Sequence, residues 1–271
     1  MPTRLLGAIL ERKRSEIEER KRAGAVSVSV SPCAGPPDAG EDRFEAALRS
    51  PGISVIAEIK RYSPSKPSIR RDLNPTEVAV AFERGGAAAI SVLTDGPGFG
   101  GSLEDIDKVR AASSLPILRK DFIIDVFQIH EASVRGASAV LLIATILDGS
   151  QLKELICAAE SFGLAALVEV HTEDELERAI EAGARIVGVN NRDLDTFEVD
   201  PTTALRLATQ IPKEIVSVAE SGIKGPEQVA AACEAGYDAV LVGEGVLVAD
   251  DISQAVRRLV EGGSECKGRP S

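Results

Sequence analysis

Apolar positions change their period along the chain, and each change marks an element. Over Leu5–Arg22 the residues Leu5, Leu6, Ile9, Leu10 and Ile17 recur at helical spacing. Glu16–Arg20 and Glu18–Arg22 stand four apart on the same stretch, so the pattern predicts an amphipathic helix with i,i+4 ion pairs. Residues 26–40, VSVSVSPCAGPPDAG, are rich in Pro, Gly and Ser and predict a linker. A short helix around Phe44–Leu48 follows. From Ile53 onward the pattern becomes short apolar runs alternating with longer amphipathic ones. It predicts strands near 53–60, 88–93, 116–120, 138–143, 165–170, 186–190, 215–220 and 239–243.

Glycine punctuates this alternation. RGGAAAISVL, RGASAVLLIA, EAGARIVGVN and EAGYDAVLVG each end a helical stretch on glycine and pass directly into a strand. Gly86, Gly136, Gly183 and Gly236 recur about every 50 residues, the span of two βα units. Eight strand–helix alternations predict an α/β protein, a (β/α)8 TIM barrel with an N-terminal helical extension. The structural rival, an open doubly wound sheet, usually places a Gly-rich phosphate loop after its first strand, and none follows Lys60. The expected division is 1–50 as extension and linker packing on the barrel, 51–262 as barrel, and 263–271 as a disordered tail.

Polar residues break the strand pattern at one end. In ISVIAEIKRYSPSKPS, Glu58 and Lys60 lie two apart and so share a strand face. Alone, they would read as a salt-bridged strand end. The device repeats, however. Lys120, Glu169, Asn190 with Arg192, and Glu220 with Ser221 close the third, fifth, sixth and seventh strands, while the second and fourth end on Leu93 and Leu141. A barrel gathers all of these strand ends at one mouth, which would hold two lysines and three glutamates beside an apolar wall. Ser221-Gly222 and Gly243-Glu244-Gly245 follow the last two strands, where barrels bind phosphate through loop N–H groups and a helix N-terminus.

Composition narrows the function classes. A net charge of -11 argues against nucleic acid and anionic membranes as partners, and requires a local cationic site for any anionic substrate. Cys33, Cys157, Cys233 and Cys266 form no CxxC pair, which predicts a reduced, cytoplasmic chain. His130 and His171 are far apart, so no histidine-based metal site is expected. No apolar run reaches membrane-spanning length, and the N-terminus has no apolar core of a signal peptide.

The motifs IAEIKRYSPSK, LRKDFI, ALVEV, GVNNRDL, AESGI and VLVGEG resemble those of indole-3-glycerol phosphate synthase, in order, across about residues 2 to 260. AEIKR-x-SPS and KDFI are specific to that family; AESGI and the glycine loop are shared more loosely with other phosphate-binding barrels. The resemblance implies closure of the indole ring of 1-(2-carboxyphenylamino)-1-deoxyribulose 5-phosphate, with loss of CO2 and water, in tryptophan biosynthesis. It implies a small phosphorylated substrate, no metal or cofactor, and an enzyme expected to be a monomer. Lys120 would then be the general acid and Glu169 the group that removes a proton. Lys60 would hold the substrate's carboxylate or phosphate and assist dehydration with Glu58. Asn190 and Glu220 complete the catalytic set and, with Arg192 and Ser63, match substrate-positioning residues. Ser221, Gly222, Gly243 and the backbone N–H of Glu244 match a phosphate site. Phe99, Phe122, Leu141, Leu194 and Leu241 offer an apolar wall, although ordinary barrel core explains Leu241 equally well.

Two departures from the family stand out. Pro67 occupies a position where glycine is usual, and Gly-Glu-Gly replaces a loop that commonly holds a small hydroxyl residue. Opposite charges should keep both lysines protonated and the glutamates ionised unless burial shifts one of them. A different phosphosugar enzyme on the same barrel is an alternative. So is a non-catalytic barrel subunit, against which the charges retained at Lys120 and Glu169 argue.

Overall fold

The structure, a computed structural model, describes residues 4–24, 43–63, 69–194 and 196–264. Helices α1 (Arg4–Ala23) and α2 (Arg43–Leu48) precede the first strand, β1 (Ser54–Ile59). There follow α3 (Pro75–Gly85), β2 (Ala89–Leu93), the single turn α4 (Gly96–Phe99), α5 (Glu104–Ala112) and β3 (Ile117–Lys120). The middle of the chain contains α6 (Val126–Val134), β4 (Ala139–Ile143), α7 (Gly149–Ser161), β5 (Ala165–Val170), α8 (Glu173–Glu181) and β6 (Ile186–Asn190). It closes with α9 (Thr202–Ala208), β7 (Val216–Glu220), α10 (Pro226–Glu234), β8 (Ala239–Val242), α11 (Glu244–Leu247) and α12 (Ile252–Ser264).

Each strand pairs in parallel with the next, and β8 returns to β1, so the sheet is a closed eight-stranded barrel. The expected strands agree with the observed ones to within a residue at either end. The predicted glycines do the stopping: Gly86, Gly136, Gly183 and Gly236 all hold φ between 79° and 94°, a left-handed conformation that glycine adopts without a Cβ penalty. Helix starts are also written locally. Asn74 caps α3 ahead of Pro75, and Asp148 and Gln151 form a capping box on α7.

Strands of a parallel barrel are covered on both faces, which is why they read as unbroken apolar runs. Outward positions such as Val55, Val92, Val168 and Val240 pack under the helices. Inward positions such as Ile56, Leu118, Leu167 and Val218 fill the barrel. Each such side chain contributes about 1.5–3 kcal/mol when fully buried. Leu141 belongs to this interior. It is the middle residue of β4, paired with Leu167, and the strand ends instead on Ile143.

The extension touches the barrel at two places. Helix α2 plugs the N-terminal end, with Phe44 and Leu48 fully buried and the Ser54 hydroxyl donating to the Ala47 and Leu48 carbonyls. Helix α1 lies at the mouth, where Leu6 and Leu10 join the interior cluster that includes Phe122. The predicted pairs within α1 are replaced by others. Glu16 holds Arg12 and Lys13, Glu18 faces Lys21, and Arg20 reaches Glu131 on α6.

Among the cysteines, Cys233 is buried, whereas Cys157 is disulfide-bonded, which corrects the expectation of a fully reduced chain. The expected linker, Pro67 and the tail beyond Ser264 lie outside the described residues.

Candidate active site

Odd-numbered strands supply one complete polar layer. Glu58, Lys120, Glu169 and Glu220 are the last inward residues of β1, β3, β5 and β7, each two residues above an inward apolar one. Their common level follows from the staggering of alternate strands in an eight-stranded barrel. The three carboxylates are almost wholly buried, at 4%, 1% and 1% exposure for Glu58, Glu169 and Glu220. Unpaired, such burial would be prohibitive.

The lysines resolve it. Lys120 Nζ lies 3.2 Å from Glu169 Oε2 and 3.5 Å from Glu220 Oε2. Lys60, just past β1, donates to Glu58 Oε1 at 2.5 Å. Burial disfavours the Lys120 ammonium, but Glu169, Glu220 and Glu58 together outweigh it, so its pKa stands well above the ordinary lysine value. Glu169 is also buried, yet Lys120 and His171 hold its carboxyl below the usual range. Glu220 goes the other way. Burial pushes it up, Lys120 opposes, and Glu169 and Glu58 add to the rise, giving about 8. At neutral pH the layer therefore pairs an ammonium and a carboxylate at Lys120 and Glu169 with a neutral acid at Glu220. Burial does shift one glutamate, and it is Glu220.

Even-numbered strands make the space. A Cβ at Gly188 on β6 would overlap Glu220 Oε1, and one at Gly243 would crowd Glu58 Oε1. Glycine at these positions is needed for the neighbouring carboxylate, not for a turn. Four atoms of this region are buried without a hydrogen-bond partner among the described residues: Ser91 Oγ, Glu169 Oε1, Glu220 Oε1 and His171 Nε2. Buried polar atoms left open cluster where a ligand is expected to complete them.

The loops add the rest. Asn190 ends β6 and accepts a hydrogen bond from the Arg192 backbone N–H, whose guanidinium donates to the Phe197 carbonyl. Ser221 (φ 63°) and Gly222 (φ 83°) follow β7 in the left-handed region. Gly243 begins α11, which contains Glu244, and a Cβ at Gly245 would press on the Ile223 carbonyl, so the two loops are packed together. Phe99 on α4 and Phe122 after β3 stand 6.4 Å apart, tilted by 38°, and both adjoin the interior cluster, as does Leu194. Ser63 ends the described part of the loop after β1. Leu141 and Leu241 lie lower, paired with Leu167 and Glu220 respectively.

Sequence reasoning passed over two groups. His171 stands two residues after Glu169, and its Nε2 lies 3.7 Å from Glu169 Oε1; the same-face rule that singled out Glu58 and Lys60 applies here too. Lys13 sits in the apolar stripe of α1 with Leu6, Leu10 and Ile17, and is 1% exposed. A lysine inside an apolar stripe was the available signal. No group of three His, Cys, Asp or Glu among the described residues could hold a metal ion.

Comparison with known proteins is consistent across nearly the full length. A family model described as indole-3-glycerol phosphate synthase matches residues 6–259. The chain is 47% identical over 264 residues to an indole-3-glycerol phosphate synthase from Mycobacterium ulcerans, covering 97% of this chain and 96% of that one. It is 48% identical over 263 residues to one from Rhodococcus opacus, covering 96% of each. Among solved structures, 3-hexulose-6-phosphate synthase from Salmonella typhimurium superposes with a TM-score of 0.64 at 17% identity, over 79% of this chain and 100% of that one. Thiamine phosphate pyrophosphorylase from Pyrococcus furiosus gives 0.61 at 17% identity, over 80% and 97%. At such identity these two share the fold alone.

Proposed function

The chain belongs to the indole-3-glycerol phosphate synthase family, and from that premise we propose how its barrel mouth closes the indole ring. The substrate, 1-(2-carboxyphenylamino)-1-deoxyribulose 5-phosphate, must form a carbon–carbon bond between its carboxylate-bearing ring carbon and its ketone carbon. Lys120 protonates the ketone oxygen as that bond forms, and departure of CO2 returns the electron pair to the ring. The new hydroxyl then leaves as water, with Lys60 as its proton source and Glu58 holding Lys60 in place. Glu169 takes the proton from the neighbouring carbon, which completes the double bond.

The observation that supports this most is the Lys120 ammonium held 3.2 Å from Glu169, an acid and a base in one buried pair. A neutral Glu220 fits the same reading. A protonated Glu220 removes one negative charge from the mouth and so lowers its repulsion of the substrate's carboxylate. Asn190, Arg192 and Ser63 position the substrate. Phe99, Phe122 and Leu194 wall its aromatic ring, with Leu141 beneath. Ser221, Gly222, Gly243 and the backbone of Glu244 take the phosphate, which requires the Glu244 side chain to point away. We read it as a cytoplasmic biosynthetic enzyme from its family, and as a monomer, which one chain carrying all of these groups permits.

Conversion of this substrate by purified protein, with no metal or cofactor added, should produce indole fluorescence. The chain contains no Trp, so the new signal has no indole background. No gain in fluorescence at saturating substrate overturns the reading.

A further inference from the structure

Lys13 is a deeply buried cation outside the mouth that bridges two loops. Its Nζ lies 2.8 Å from Asp95 Oδ1 and 2.9 Å from Asp121 Oδ1, with Glu16 Oε2 at 3.1 Å. Asp95 and Asp121 are also buried, and each has a structural task beside the mouth. Asp95 caps the turn that carries Phe99, accepting from the Gly98 N–H at 2.9 Å. Asp121 follows Lys120 directly and accepts from the Phe122 N–H at 2.8 Å. One ammonium on α1 therefore ties the segment after β2 to the segment after β3.

We propose that Lys13 is a positioning residue for ring closure, holding Phe99 against Phe122 and setting the loop that begins at Lys120. The inference deepens the reading of the mouth given above and rests on it. Each aspartate keeps a second cation: Arg12 lies 2.8 Å from Asp95, and Arg119 lies 3.1 Å from Asp121. Among the described residues Lys13 alone joins the two aspartates; Arg119 reaches the segment after β2 at Thr94, 3.3 Å away, and not at Asp95. The Asp121 carboxyl is accordingly held well below the usual range, burial being outweighed by Arg119 and Lys13. Because both aspartates retain an arginine and Thr94 still donates to Asp121 at 2.7 Å, removing Lys13 should leave the fold standing while the direct link between Asp95 and Asp121 is lost.

Mere anchoring of α1 is the competing explanation, and α1 offers a control for it. Lys21 binds Asp125, the α6 cap at the far end of the segment after β3, at 2.7 Å, and so fastens α1 to that segment without reaching the one after β2. If Lys13 only anchors the helix, Lys13→Met and Lys21→Met should act alike. If it positions the mouth, Lys13→Met should lower kcat/KM by about 10²-fold through a rise in KM and a fall in kcat together. Lys21→Met should stay within about twofold, and Lys13→Arg should recover part of the loss. All would be assayed well below each variant's own Tm.

Backbone hydrogen exchange supplies a second readout that needs no turnover. The Gly98 and Phe122 amides should exchange faster in Lys13→Met and be unchanged in Lys21→Met. Should Lys13→Met fail to fold, Asp95→Asn carries the same expectations for the Gly98 amide and for kcat/KM. An inactive wild type would sink the functional reading but leave the exchange comparison intact. Unchanged exchange at both amides, or equal losses of activity in the two lysine variants, would overturn the positioning role.

Discussion

Glu220 Oε2 lies 3.5 Å from Lys120 Nζ, yet Glu220 is the carboxyl whose pKa rises, to about 8, because it is buried beside two other glutamates. The lysine is nearer to Glu169, at 3.2 Å, and holds that carboxyl below the usual range. One cation cannot ionise both neighbours, and geometry decides which keeps its charge. The layer titrates as a unit, so the consequences belong to the group of residues as well as to Glu220.

The first prediction concerns pH and stability. Glu220 has an ordinary value of 4.5 and a folded value of about 8. Between these the folded state binds a proton that the unfolded chain has released, so its contribution to stability falls as pH rises through that window. Glu220→Gln mimics the protonated form and should remove the slope. The excess in Tm of the variant over wild type should widen from about pH 5 to about pH 9. A constant difference would show that Glu220 does not titrate there.

The same variant makes a kinetic prediction. If the neutral acid is the working form, Glu220→Gln should keep kcat/KM near pH 7 within about tenfold, equivalent to about 1.4 kcal/mol. It should also lose the basic limb that Glu220 is expected to give wild type near pH 8. A basic limb that persists at the same pH would assign it to another group.

Lys120→Met tests the general acid. Turnover should fall by about 10²–10⁴-fold, the usual contribution of a positioned proton donor. Because Glu169 would be left buried without its ammonium, the variant should also lose stability, most at high pH where the carboxyl would be ionised. Far-UV circular dichroism should show the barrel intact, and near-normal kcat would remove the assigned role.

Gly188→Ala separates position from chemistry. The added Cβ would overlap Glu220 Oε1, so the carboxylate must move while every charged group remains. The expected result is a loss of kcat/KM comparable to that of altering a mouth residue, with a modest loss of stability, of order 1–3 kcal/mol for a small overpacking. Wild-type kinetics would mean that the position of Glu220 is not critical.

Much of this was written locally in the sequence, for physical reasons. The strands are legible because both faces are covered, and glycines such as Gly86 and Gly183 end helices in a way few other residues can. Glu58, Lys60, Lys120 and Glu169 are legible because a charge closing an apolar strand has few destinations. Other features depend on distances across the barrel. The protonation of Glu220 is set by burial inside the barrel and reinforced by Glu169 and Glu58, which lie far from it in the chain. The partners of Lys13 come from two other strand ends. Spacing on α1 instead suggested the pair Glu16–Arg20, whereas Arg20 finds Glu131 on a neighbouring helix. Local rules assign a charge its nearest candidate, and tertiary packing overrides them when a better-buried partner is in reach.

His171 provides the last prediction. Its Nε2 and Glu169 Oε1 are 3.7 Å apart, both buried, and neither has a hydrogen-bond partner among the described residues. On its other side, Nδ1 faces Glu175 Oε2 at 3.3 Å and Thr145 Oγ1 at 3.2 Å. Burial lowers the pKa of the imidazole, but Glu175, Glu169 and Glu220 outweigh it, so the ring holds its proton above the ordinary range. A charged His171 in turn helps Lys120 keep Glu169 ionised. In His171→Asn that help is gone, and the pKa of Glu169 should rise toward its ordinary value. The acid limb of kcat/KM should therefore move to higher pH, while the plateau above it changes little, because the base itself is intact. An acid limb that stays in place, or a loss that is uniform across pH, would show that His171 acts on packing and not on the charge of Glu169.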